Sequence, residues 1–228
     1  MDVTTTVISL LVIGTVHISA MSFVFYKGTK FYKKKKGKTL SKKTDLSLGG
    51  ELHTPIWDII HSNFDDYSVF NYSKDIYLVV FFLPIIFNLL NISFVYVYEF
   101  FWKFMILIFL RSFSIISTIL PRNSKLKVKI NKKTDFWTVL YHRTIGGGCY
   151  DKLFSGHASF GLLATLLLFK YNFLETNIFN ISLFILLNII HFMMIGVTRA
   201  HYTVDIIVAI YVTLWVYESN TINKILEL

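Results

Sequence analysis

With 228 residues, 54% of them hydrophobic, and a mean hydropathy of +0.55, the chain is too apolar for a soluble domain of its size. Its net charge of +9 would raise the question of nucleic acid in a soluble protein, but the basic residues sit in loops beside apolar runs, where they suit anionic lipid head groups. One cysteine, Cys149, excludes an internal disulfide framework.

A helix needs roughly 20 apolar residues to cross a bilayer, and the apolar runs of this chain reach that length without the periodicity of half-buried elements. The first, Val7–Tyr26, lacks a basic leader and has a long apolar core, so it reads as a retained span and not as a cleaved signal peptide. A basic loop follows over residues 27–50, with Lys33–Lys36 solvated and the whole expected to be mobile. The connection continues to Asp75 through His53-Thr54-Pro55-Ile56-Trp57-Asp58. Spans are predicted at 76–98 and 100–120, separated only by a tight turn at Glu99. A third connection, Pro121 to Lys152, ends in Gly146-Gly147-Gly148. Spans at 153–171, 178–198 and 201–217 complete the chain, joined around Asn172–Asn177 and around Arg199. The expected fold is therefore all-α, a six-span transmembrane helical bundle forming a single domain. In such a serpentine chain the first, third and fifth connections open to one side, and every chemically capable cluster lies on them.

His201 and Asp205 are four residues apart, so a helix presents them on one face. A carboxylate in an apolar segment is costly unless paired or facing a polar cavity, and Asp205 is the only one expected within a span. Ser155-Gly156-His157 puts a small, close-approach turn and a second imidazole at the mouth of another span on the same side. Arg199 stands two residues before His201, where it can bind an anion. Two histidines, a carboxylate and an arginine suit phosphoryl transfer, with one imidazole as nucleophile, the carboxylate to orient it, and the other imidazole to protonate the leaving oxygen. Arg111 lies inside the third predicted span, nine residues before Leu120 and roughly 14 Å deep, too far to snorkel easily. A water-filled cavity holding a lipid phosphate accounts for it. His17 and His191 show no partner in the sequence and read as structural.

These residues fall into recognisable motifs. Cys149-Tyr150-Asp151-Lys152-Leu153-Phe154-Ser155-Gly156-His157 resembles the C-G-D-x-x-x-S-G-H motif of the sphingomyelin synthase family. Arg199-Ala200-His201-Tyr202-Thr203-Val204-Asp205 resembles its R-x-H-Y-T-x-D motif. The segment from Arg111 to Thr118-Ile119-Leu120-Pro121 is similar to its arginine-containing element, and Pro55-Ile56-Trp57-Asp58 is a looser echo of P-L-P-D. The order is that of the family, over roughly Pro55 to Tyr217. Tyr150, Ala158 and Trp57 depart from the pattern near the head-group region and leave the head group open. The wider superfamily includes the lipid phosphate phosphatases, which typically carry P-S-G-H and an arginine six residues before the last histidine. Phe154 before Ser155, and Arg199 two residues before His201, favour the synthase branch.

The resemblance implies a transferase that moves a phospho-head group, phosphocholine or related, from a glycerophospholipid to ceramide, releasing diacylglycerol through a phosphohistidine. It implies His157, His201 and Asp205 as catalytic residues. Arg199, Arg111, Asp151, Ser155 and Tyr202 are expected to bind substrate, and Cys149 lies close by. No cofactor and no metal is implied. The expected partners are membrane lipids, namely the donor and a ceramide or diacylglycerol acceptor. Nucleic acid is not expected, and homo-oligomer formation stays open. The alternatives are a lipid phosphate phosphatase, an exchange enzyme acting between phosphatidylcholine and diacylglycerol, and, from a different class, a transporter or scramblase. The expected location is the Golgi, endoplasmic reticulum or plasma membrane. The resemblance places the site on the lumenal or extracellular side, whereas the lysine- and arginine-rich odd connections argue for the cytosol. We follow the resemblance, because access of donor and acceptor has to match the chemistry.

Overall fold

The computed structural model describes residues 3–36, 57–70, 72–83, 94–118, 120 and 153–226. All regular structure among them is helical. In chain order it comprises α1 (Val3–Lys36), α2 (Ile59–Asn63), α3 (Ser73–Tyr77), α4 (Phe94–Ser117), α5 (Gly156–Lys170), α6 (Ile178–Val197), α7 (Thr203–Glu218) and α8 (Asn220–Ile225), with short 3-10 turns at Ser68–Phe70 and Leu78–Phe82.

Among the described residues, three helices are long and apolar enough to cross a membrane, at Thr6–Val24, Val95–Ser117 and Ile178–Val197. The chain is thus a membrane protein whose regular structure, among the described residues, is all helical. α5 is apolar but has 15 residues, about 22 Å of helix against a hydrocarbon core of roughly 30 Å. Residues 84–93, the middle of the predicted second span, lie outside the described residues, as do residues 37–56 and 121–152.

Two boundaries differ from expectation. α1 continues ten residues beyond Tyr26, so the first part of the basic loop expected to be mobile is helical. Lysine is a good helix former, and the solvated end of a span can extend at little cost. The tight turn expected at Glu99 is absent, for Glu99 lies inside α4. Its side chain is fully buried and receives Lys103 Nζ at 2.7 Å, Lys170 Nζ at 2.7 Å and Tyr171 Oη at 2.6 Å. A charge that looked like a break in an apolar run is neutralised within the helix and by α5, so the helix has no reason to stop. Asp205 is accordingly not the only carboxylate in an apolar helix.

Contacts fix the helix directions. His17 meets Ser112 and Arg111, and further along Ala20, Met21 and Val24 pack on Ile115, so α1 and α4 run parallel. Glu99 near the start of α4 meets Lys170 at the end of α5, while Arg111 near the end of α4 meets Phe154 at the start of α5, so these two are antiparallel. Lys103 also donates to the carbonyl of Tyr217 at the end of α7. Asn188 of α6 donates to Thr165 of α5 at 2.8 Å within the core, where such interhelical bonds contribute about 0.6 kcal/mol each in lipid. The bundle therefore has two polar ends: one built on Glu99, Lys103, Lys170 and Tyr217, the other on the starts of α5 and α7.

Candidate active site

The second polar end gathers the sequence-predicted residues. Ser155 caps α5: its backbone is extended and its hydroxyl accepts from Ala158 N at 3.3 Å, which ends the preceding chain and starts the helix with Gly156 and His157 in its first turn. The carboxylate of Asp205 binds this mouth to α7. Its Oδ1 accepts from Leu153 N at 2.8 Å, and its Oδ2 accepts from Tyr202 N at 2.8 Å and meets His201 Nδ1 at 3.2 Å. Ser155 N donates to the Asp205 carbonyl at 3.2 Å. Asp205 is fully buried and His201 is 5% exposed. A carboxylate oxygen only accepts, so Nδ1 of His201 carries the proton and Nε2 bears the lone pair.

His157 is oriented by a residue that sequence reading missed. Its Nε2 lies 2.6 Å from Oδ1 of Asp75, whose Oδ2 receives Lys74 Nζ at 3.1 Å. Burial pushes the Asp75 carboxyl up, but the His157 hydrogen bond and the charge of Lys74 outweigh it and hold the group below its ordinary value. With Nε2 on Asp75, Nδ1 of His157 is the nitrogen that can exchange a proton with a substrate. Asp75 sits next to the predicted second span and looked like a boundary residue. The only signal available in the sequence was its place on an odd connection.

Arg199 has a positive φ of 57° between α6 and α7, a conformation of order 1–3 kcal/mol unfavourable for a non-glycine residue that its surroundings must sustain. Its Nη2 donates to the carbonyls of His61 at 3.0 Å and Phe64 at 2.8 Å. Nη1 is buried with no hydrogen-bond partner among the described residues.

Arg111 and Tyr202, both expected to bind substrate, have protein neighbours. Arg111 is 8% exposed; its Nε donates to the Phe154 carbonyl at 3.1 Å and its Nη1 lies 3.3 Å from His17 Nε2. It is held beside the Ser155-Gly156-His157 turn by protein groups. His17, read as lacking a partner, joins Arg111 to Ser112, its Nδ1 lying 3.0 Å from the Ser112 hydroxyl. Spans far apart in sequence had to pack before this pairing could be seen. Tyr202 is 1% exposed and its ring packs 5.1 Å from that of His61, so it faces protein. His191 is buried between Tyr77 and Phe81 and fits tightly against Gly161, where a Cβ would lie 2.9 Å from its Nδ1. This is the packing place expected of it. Asp151 and Cys149 lie outside the described residues.

The geometry places two histidine–carboxylate pairs at one end of a membrane-embedded helical bundle, an arrangement able to carry acid–base and nucleophilic chemistry at phosphorus. Residues 148–222, which include both histidines, match the family model described as PAP2 superfamily C-terminal. That match supports the lipid phosphate phosphatase superfamily, and with it an enzyme of phosphatase or phosphotransferase type acting on lipid phosphates; it does not single out the sphingomyelin synthase branch. Neither the curated proteins nor the solved structures gave a match.

Proposed function

We propose that the protein transfers a phosphorylated head group from a glycerophospholipid to a lipid alcohol, with ceramide as the favoured acceptor, from a six-span bundle. The observation that carries this reading is the pairing of His201 Nδ1 with the buried carboxylate of Asp205, which leaves Nε2 as a nucleophile. Nε2 attacks phosphorus, and the bond from phosphorus to the diacylglycerol oxygen breaks with its electron pair on that oxygen. His157, protonated, gives the oxygen its Nδ1 proton while Asp75 holds Nε2. Diacylglycerol departs and the head group rests on His201. Neutral Nδ1 of His157 then takes the proton of the acceptor's primary hydroxyl, whose oxygen attacks phosphorus and displaces His201.

Asp205 balances the positive charge that develops on His201, and the charge of the Arg199 guanidinium offsets that of the phosphate. Arg111 braces the turn that carries His157. The shortness of α5 and the placement of Arg111 six residues inside the end of α4 favour a site recessed below the membrane surface. Such a recess admits lipid from the side and limits water, which is what transfer without hydrolysis requires.

The match to the PAP2 superfamily C-terminal model favours a second reading equally well: the same residues with water as acceptor, a lipid phosphate phosphatase. Incubating the purified protein with head-group-labelled phosphatidylcholine, with and without ceramide or diacylglycerol, separates the two. Labelled ceramide product is expected. Free phosphorylated head group as the dominant product, with acceptor present, refutes transfer.

A further inference from the structure

The segment Asp58–Phe64 comes from the first connection, yet it grips the loop that carries His201. One carboxylate caps two helices. Asp58 Oδ1 accepts from His61 N at 3.0 Å, the cap of α2, and from the Thr203 hydroxyl at 2.9 Å; its Oδ2 accepts from Thr203 N at 2.6 Å, the first residue of α7. That N–H belongs to the turn of a helix that has no intrahelical acceptor. His61 Nε2 donates to the carbonyl of His201 at 3.0 Å, and the carbonyls of His61 and Phe64 receive Arg199 Nη2. Tyr67 N donates to the Val197 carbonyl at 3.1 Å. Apolar contact closes the strap, for a Cβ on Gly196 would lie 2.7 Å from Ile60 Cδ1.

We propose that Asp58 and His61 are positioning residues for the nucleophile. They act through the backbone of His201 and Thr203. The ring of His201 is fixed from two sides. Asp205 holds Nδ1, and the strap holds the main chain from which the ring projects: its carbonyl through His61, and the N–H two residues on through Asp58. Burial pushes the Asp58 carboxyl up, but the hydrogen bonds from His61 and Thr203 outweigh it, so it stays ionised and accepts at every bond it makes. Misplacing a reacting group by 1 Å can cost about 100-fold in rate, so a loosened strap acts on turnover.

This inference rests on His201 being the nucleophile, and the experiment separates the two. The full chain in lipid nanodiscs carries Asp58→Asn, Thr203→Val, Thr203→Ser or His201→Ala, and is assayed with labelled phosphatidylcholine and ceramide alongside thermal unfolding. Asn177→Ala is the control, because it removes the cap of α6 near the opposite end of the bundle. Asp58→Asn and Thr203→Val are expected to lower kcat about 10- to 100-fold with the donor KM within about twofold. Thr203→Ser, which keeps the hydroxyl, is expected to restore kcat, and Asn177→Ala to cost stability but not kcat. If Asp58→Asn does not fold, the Thr203 pair carries the test. Loss of activity in His201→Ala with full kcat in Asp58→Asn or Thr203→Val overturns the positioning role alone. So does a kcat loss in those variants no larger than that of an equally destabilised Asn177→Ala. Full activity in His201→Ala overturns the nucleophile reading, and this role with it.

Discussion

Replacing Glu99 by glutamine tests the polar end opposite the site. Glu99 and Lys103 are both fully buried, one helical turn apart, with Nζ 2.7 Å from Oε1. Glutamine keeps the shape and an acceptor oxygen but removes the charge, which leaves a cation inside the bundle with the Tyr217 carbonyl at 2.9 Å and the Tyr217 ring at 5.0 Å. Breaking a buried pair on one side costs about 3–5 kcal/mol, more than about 100-fold in the ratio of folded to unfolded protein. Lys170 adds less, because its side chain is 36% exposed and solvent screens such pairs to about 0–1 kcal/mol. Titrating the protein in mixed micelles with SDS, followed by tryptophan fluorescence, should show Glu99→Gln unfolding far earlier than Lys170→Met. The double replacement Glu99→Leu with Lys103→Leu should recover most of the loss, since apolar residues of similar volume can replace a buried pair at little cost. A Glu99→Gln protein within about 1 kcal/mol of the parent would refute the claim that Glu99 neutralises Lys103.

His157→Ala, His201→Ala and Asp205→Asn should each abolish transfer while membrane insertion is intact; near-normal turnover in His201→Ala would rule out a phosphohistidine on that residue. Asp75→Asn should lower turnover about 100-fold by releasing the His157 ring, with donor KM little changed, and equal kcat in variant and parent would remove Asp75 from the site. Because the Asp75 carboxyl is held below its ordinary value, its pairing stabilises the fold fully above the unfolded carboxylate pKa of about 3.9. That share is lost as pH falls from there through the lower folded value, so acid unfolding of Asp75→Asn should be the less steep in this window. A glycosylation sequon inserted between Gly37 and Gly49 should be modified in cells if the site faces the lumen. Absence of modification, with cytosolic labelling of Cys149, would show instead that the basic connections set the orientation.

Sequence alone was enough for whatever depends on local spacing or on solvent. Long apolar runs exclude a soluble fold because no internal core could hide them. The start of α6 was legible because the apolar run begins at Ile178, and His201 with Asp205 because four residues make one helical turn. The pairing of Asp205 with His201 follows from that same short range. Tertiary structure decided which distant groups share a charge. Glu99 read as a break, since its cationic partners include Lys170 on another helix. Arg111 read as an unpaired cation, since His17 and the Phe154 carbonyl come from elsewhere in the chain. Asp75 and Asp58 carried no helical spacing to either histidine, and only packing of the first connection against the starts of α5 and α7 brought them there. A polar group in an apolar bundle must find its partner wherever the fold offers one, and that partner is written in three dimensions and not along the chain.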